Sequence, residues 1–316
     1  MKKVILAILC PLLLAGCSQD DRLSEPAESQ EVYTVRLNLN GDIQTEDSPL
    51  SRAETESRDL YGIQVYKDGK GFAAGMFDNT DNITINLLAG GSYKFVCTAI
   101  KEGKDILYNP GYSYGLSGCF YCPGNFRLWD NSNSFLYSAS GIMRELNSSY
   151  TYYTPTSSDT KRCAEIDRFY GELDGYTPSV NGVVNLELKR VSFGIKVNVS
   201  NITDGNVAVK CYNSSNTFVD VSGLTANYES EGKLFSMYDI YNAWQYADSY
   251  TENITLDVTW NRGVGVTQKW SKTIQVKRNA MNTVRIKLSA DDSDVGVGVT
   301  PEGGEMGDEE EDIPLG

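Results

Sequence analysis

The chain has 316 residues, 28 of them basic and 42 acidic, a formal net charge of −14 and no histidine. At 41% apolar and 22% charged it is a chain that buries cores, long enough for one large domain or two ordinary ones. An acidic chain repels phosphate backbones, so no nucleic-acid partner is expected, and without imidazole there is no Ser-His-Asp or Cys-His nucleophile, no His general base and no His-ligated metal.

Residues 1–17 begin with Lys2-Lys3, continue with an apolar run from Val4 to Leu14 and end in Ala15-Gly16-Cys17. A basic start and a short apolar stretch make a secretory signal, too short for a spanning helix. Leu14-Ala15-Gly16-Cys17 resembles the bacterial lipobox, which implies acylation (palmitate among the chains) of Cys17, cleavage just before it, and a mature chain moored to the outer membrane by lipid. Several acyl chains on one residue exceed what stable anchoring needs, since each buried CH2 contributes about 0.8 kcal/mol. Residues 18–30 are polar with one proline and read as a flexible linker. The acids in Ser18-Gln19-Asp20-Asp21 have two readings, a solvated spacer or a likeness to the surface-export signal of Bacteroidota lipoproteins.

From residue 31 onward, period-two alternation dominates, the mark of half-buried strands. Val35, Leu37 and Leu39 share one face and Thr34, Arg36 and Asn38 the other; Tyr61-Ile63-Val65, Ile83-Ile85-Leu87 and Tyr93-Phe95-Cys97-Ala99 repeat the pattern. Lys67-Asp68-Gly69 and Ala89-Gly90-Gly91 supply hairpin-turn chemistry between them. From about Lys101 to Gly182 the chain is rich in Tyr, Ser, Asn and Gly and shows weak periodicity, so a loop-dominated connection is expected, with a candidate helix near Arg162–Leu173.

Alternation returns with Val184, Leu186 and Leu188, then shifts parity to Val191, Phe193, Ile195, Val197 and Val199, which suggests a bulge or bend near Arg190. Val207-Val209-Cys211, Ile254-Leu256-Val258-Trp260, Ile274-Val276 and Val284-Ile286-Leu288 complete the set. Asn261-Arg262-Gly263 sits where a hairpin turn belongs, and a second candidate helix lies near Phe235–Trp244. Residues 291–316 hold ten acids and no bases, which predicts a disordered acidic, Gly-rich tail, although Val295-Gly296-Val297-Gly298-Val299 alternates at strand period. The expected architecture is all-β: two tandem antiparallel β-sandwich domains, 31–183 and 184–290, with few short helices.

Several segments together resemble a family. After the lipobox and the strand Val32–Gly41 comes an arginine-bearing loop, Ser48-Pro49-Leu50-Ser51-Arg52-Ala53, leading into Leu60-Tyr61-Gly62-Ile63-Gln64-Val65-Tyr66. Leu188-Lys189-Arg190-Val191 opens the second set of strands, and Lys277-Arg278-Asn279-Ala280-Met281-Asn282-Thr283-Val284 runs into the last strand. The combination is similar to the fimbrillin-like lipoproteins of Bacteroidales, which build type V pili. The resemblance implies transthyretin-like sandwiches, no enzymatic activity, no cofactor, and other fimbrial subunits as partners at the outer membrane. It also implies cutting by an Arg-specific protease after the first strand, at Arg52–Ala53 or at Arg58–Asp59. The vacated place is then filled by a terminal strand of another subunit, here sought around Val295, Val297 and Val299.

The remaining motifs have more than one reading. Cys119-Phe120-Tyr121-Cys122 lacks the βαβ setting of a redox pair and the second close pair of a zinc site. A structural disulfide of Cys119 and Cys122 with each other or with Cys163 is the alternative in an exported protein, while Cys97 and Cys211 fall on inward strand parity as buried thiols. Aromatics crowd residues 108–153, among them Tyr121, Trp129 and Tyr137. Rings with polar tips suit partner surfaces and sugar faces alike, so the runner-up function is an outer-membrane carbohydrate-binding lipoprotein that meets host surfaces or glycans. The third reading has those rings covering the sandwich ends. No spacing singles out a catalytic carboxylate pair or a metal-binding loop, so no catalytic residue and no metal is expected.

Overall fold

The computed structural model describes residues 31–45, 58–103, 133–137, 166–214, 216–263, 265–288, 295–302 and 312–315. Strands dominate. The helical elements among the described residues are a four-residue turn, α1 (Asp42–Thr45), and a six-residue helix, α2 (Ile240–Gln245).

In the N-terminal half one layer has the order β4-β1-β8, formed by β1 (Val32–Gly41), β4 (Thr84–Leu88) and β8 (Gly182–Arg190). The other has the order β7-β5-β2-β3-β6, from β2 (Leu60–Lys67), β3 (Lys70–Phe77), β5 (Tyr93–Ile100), β6 (Ser134–Tyr137) and β7 (Arg168–Tyr176). The end of β8 also reaches β7, through Phe169↔Arg190 and Tyr170↔Lys189. Alternation works as the sequence suggests: Val35, Leu37 and Leu39 pack with Ile63, Val65, Ile85, Leu87, Phe95, Val184, Leu186 and Leu188 in one core. Between β2 and β3, Asp68 and Gly69 both take positive φ (50° and 75°), the conformation that a tight hairpin requires.

The C-terminal half repeats this plan. β10 (Asn206–Tyr212), β11 (Thr217–Leu224), β14 (Thr251–Asn261) and β15 (Thr267–Lys277) form one sheet, in the order β11-β10-β14-β15. β9 (Ser192–Ser200), β16 (Met281–Lys287), β17 (Val295–Glu302) and β18 (Asp312–Leu315) form the other. The short strands β12 (Tyr228–Glu229) and β13 (Lys233–Ser236) pair with the free side of β9. In each half the first strand lies parallel to a late one, β1 beside β8 and β9 beside β16. The all-β expectation holds, with these two parallel pairs added to an otherwise antiparallel design.

Four details differ from the sequence reading. β8, read as the opening of the second set of strands, pairs with β1 and packs in the N-terminal core, and the parity shift at Arg190 falls where the chain passes from β8 to β9. The stretch read as a helix at Arg162–Leu173 becomes strand β7 from Arg168 on. Phe235 lies in β13, and the helix of that region begins only at Ile240. Within the acidic C-terminal stretch, β17 pairs with β16 and β18 with β17, because the valine alternation supplies an inward face: Val297 is buried in the C-terminal core.

The two halves share apolar surface. Leu60, Ala74, Met76, Val96, Ile100 and Tyr170, from the N-terminal strands, belong to the same apolar cluster as the C-terminal core. Trp244 of α2 meets Tyr170 edge-on, with centroids 6.0 Å apart. The segment carrying α2 is held by Glu252, whose carboxylate accepts the backbone N–H groups of Tyr238 (2.6 Å) and Asp239 (3.1 Å) and the Tyr250 hydroxyl (3.0 Å). Burial, with neighbouring Asp239 adding repulsion, pushes this carboxyl above its ordinary value despite those bonds. The folded chain therefore holds the Glu252 proton more tightly than the unfolded chain does, and this contribution to stability falls as pH rises through the window just above 4.5. Glu252→Gln keeps an acceptor oxygen and abolishes the titration. Urea unfolding across that window is expected to show the difference in unfolding free energy, wild type minus variant, decreasing with pH.

Candidate functional site: the seat of the first strand

β1 is an interior strand. It pairs antiparallel with β4 from Val32↔Leu88 to Arg36↔Thr84, and parallel with β8 from Val35↔Gly182 to Gly41↔Leu188. The Leu37 amide extends the β4 side by donating to the Ile83 carbonyl at 2.8 Å. Val35 and Leu37 are wholly buried and Leu39 nearly so. At about 1.5–3 kcal/mol for each inward side chain, the slot contributes roughly 5–9 kcal/mol to holding the strand, as an upper estimate. The outer face is polar and specific: the Thr34 hydroxyl donates to Asn86 Oδ1 (2.9 Å), the Thr34 amide to Asn181 Oδ1 (2.8 Å) and Asn38 Nδ2 to Asn185 Oδ1 (2.8 Å).

The strand ends at Gly41, where φ is +94° and an added Cβ would lie 2.6 Å from the Leu188 carbonyl oxygen, so glycine is required there. Asp42 follows. One of its carboxylate oxygens accepts the Arg190 backbone N–H at 2.9 Å and the Arg278 Nη1 at 3.3 Å. That same Arg278 nitrogen donates to the Arg190 carbonyl (2.7 Å), and Arg278 Nε donates to the Ala247 carbonyl (2.7 Å). The Arg190 side chain turns the other way and forms a two-pronged pair with Asp167 (2.8 and 2.6 Å), its guanidinium lying over the Phe169 ring. Its Nη1 also reaches Asn279 Oδ1 at 3.4 Å.

This arrangement gives a physical reason for the sequence segments quoted above. Asn279 sits at positive φ in the turn before β16. Buried Asn282 braces that turn, its amide donating to the carbonyls of Gly194, Lys277 and Ala280 and its oxygen accepting the Lys277 N–H. Leu188-Lys189-Arg190-Val191 and Lys277-Arg278-Asn279-Ala280-Met281-Asn282 are thus brought together at the joint between the sandwiches, with Asp42 joining them from the end of β1. Sequence reasoning singled out these arginine segments and missed Asp42 and Asp167. Their partners lie 148 and 23 residues away, beyond the reach of any local pattern.

The other expected site residues fall as follows. Cys17, Arg52, Ala53, Cys119, Tyr121, Cys122 and Trp129 lie outside the described residues. Arg58 is exposed, but Asp59 across the bond from it is tied to the start of β2: its carboxylate accepts the Glu102 N–H (3.0 Å) and pairs with Lys101 (3.5 Å). Val295, Val297 and Val299 belong to β17 in the chain's own C-terminal sheet. Tyr137 closes the edge between the N-terminal layers, its hydroxyl accepting the Asn86 N–H (2.8 Å) and its ring meeting Phe72 edge-on. Cys97 and Cys211 are free and buried. Burial pushes both thiols up, Cys211 to about 12, which suits packing and not nucleophilic chemistry.

No family model matches the chain, and no curated protein matches it. Among solved structures it is similar to a proposed cell adhesion protein from Bacteroides eggerthii, at 12% identity over 83% of this chain and 87% of that one, with a TM-score of 0.39. A fimbrial assembly protein from Parabacteroides distasonis is similar at 13% identity over 86% of this chain and 96% of that one, with a TM-score of 0.34. The tip fimbrial protein Mfa3 from Porphyromonas gingivalis, truncated at its C-terminus, is similar at 11% identity over 86% of this chain and 99% of that one, with a TM-score of 0.34.

The seat of β1 makes a direct prediction. Leu37→Ala is expected to lower the unfolding free energy by about 2–5 kcal/mol. Arg36→Ala, on the exposed face of the same strand, is expected to change it by less than about 0.5 kcal/mol. Denaturant unfolding of both variants checks the contrast.

Proposed function

We propose that this chain is a surface-anchored structural lipoprotein, a subunit or accessory component of a fimbria that joins its neighbours by strand exchange, with no catalytic step. The observation that carries the reading is the position of β1, a first strand held inside a sheet with a strand on either side. β1 is the first strand among the described residues, and in this reading one cut in the connection after it leaves β1 held in the sheet by non-covalent contacts alone. Its departure would expose unpaired backbone groups on β4 and β8 together with an apolar slot, which is the state that β-augmentation fills. Three inward side chains and about 1 kcal/mol for each main-chain hydrogen bond suffice for a durable joint.

The donor in this reading is a terminal strand of another subunit, and β17 is the segment of this chain with the required alternation. To donate, it would leave its place beside β16. The lipid on Cys17 tethers the precursor at the outer membrane until the cut. Of the two bonds that the sequence leaves open, Arg52–Ala53 is favoured, because cleavage at Arg58–Asp59 would first have to free Asp59 from Glu102 and Lys101. Mass spectrometry of material recovered from native cells is expected to find the N-terminus at Ala53. An N-terminus still at acylated Cys17 would exclude the polymerising role and leave an anchor or accessory role.

A further inference from the structure

The carboxylate that closes the joint between the sandwiches belongs to the segment that strand exchange would remove. Asp42 lies one residue past β1 and upstream of both candidate cut sites, so it travels with β1. We infer that Asp42 couples occupancy of the first-strand seat to the rigidity of the joint: with β1 in place the two sandwiches are clasped, and with β1 withdrawn the clasp opens. This inference rests on the strand-exchange reading for its biological use, but its physical content concerns the intact chain.

Three features of the geometry support it. First, a single Asp42 oxygen serves two donors from different parts of the chain, the Arg190 N–H where the first sandwich ends and the Arg278 guanidinium in the turn before β16 of the second. Second, the Arg278 side chain is nine-tenths buried, and its other described carboxylate neighbour, Asp248, is fully exposed at 4.0 Å. Loss of Asp42 therefore leaves a mostly buried guanidinium facing backbone carbonyls and one distant, solvent-exposed carboxylate, a costly state for a charge. Third, the neighbouring supports are anchored to the same few residues. Arg278 Nη1 holds the Arg190 carbonyl, Arg190 holds Asp167, and the Ser192 hydroxyl accepts the Arg168 N–H at 2.6 Å. Loosening Arg278 therefore disturbs both sides of the joint. Asp42 is a positioning residue in this scheme, acting through the two arginines.

Hydrogen exchange measured by mass spectrometry on the full, uncut chain tests this. Asp42→Asn preserves shape and removes the charge. It is expected to speed exchange about tenfold or more both in a peptide covering 37–41 and in peptides covering 190–194 and 278–282, because a hydrogen bond to a charged group contributes at least that factor. Arg278→Lys attacks the clasp from the other sandwich and is expected to loosen the same three segments, including the end of β1. Changes confined to residues 40–45 in the first variant, or to residues 247 and 278–282 in the second, would overturn the inference. Because the chain is uncut, this outcome is independent of processing: a native N-terminus at Cys17 would defeat strand exchange and leave the clasp standing.

Discussion

The structure depends on the two-sided backbone pairing of its first strand. β1 lies between an antiparallel neighbour and a parallel one, and the parallel partner is the last strand of the same sandwich. A parallel pair requires a long crossover, and here the crossover carries the strands β2 to β7. The most N-terminal strand and the most C-terminal strand of that unit therefore stabilise each other directly. That topology places the first strand inside the sheet, and the proposed strand exchange would use it as the strand that leaves.

The second sandwich shows what the first gains from this. β9 occupies the position equivalent to β1, between short antiparallel partners and the parallel strand β16, but its chain continues from β8 through Val191 without a long connection. A cut after it would not release it, because it stays joined to the first sandwich. Under the proposed strand exchange, the same architecture would supply one removable strand and one that stays joined to the chain on both sides. The joint between the sandwiches draws its charged residues from the end of β1, the residue before β7, the end of β8 and the turn before β16.

The strands were legible where only one face is buried. Val35, Leu37 and Leu39 alternate with Thr34, Arg36 and Asn38 because the outer face of β1 meets water. β7 was not legible: Phe169 packs into the N-terminal core while Tyr170 joins the C-terminal one, and with Ile166 and Leu173 they fall at helical spacing. Two-sided burial erased the period-two signal, and the helical pattern is a by-product of serving two cores. The parity change at Arg190 was visible, but a bulge and a passage between domains leave the same trace. The C-terminal stretch was dominated by its acids and glycines, whereas its few valines decide its pairing. The arginine segments at 188–191 and 277–284 were recognisable as motifs, but their meeting at Asp42 depends on contacts up to 236 residues apart.

A covalent lock on β1 tests the central claim most directly. Asn38 and Asn185 are registered partners on the outer face of β1 and β8, close enough for their side chains to hydrogen-bond. Asn38→Cys with Asn185→Cys would place two thiols where a disulfide is geometrically accessible. In cells, the oxidised double variant is expected to reach the surface, to retain its first strand after proteolysis and to form no fibres, with assembly restored by reduction. Fibres of normal length built from chains in which that engineered disulfide is still intact would contradict the account.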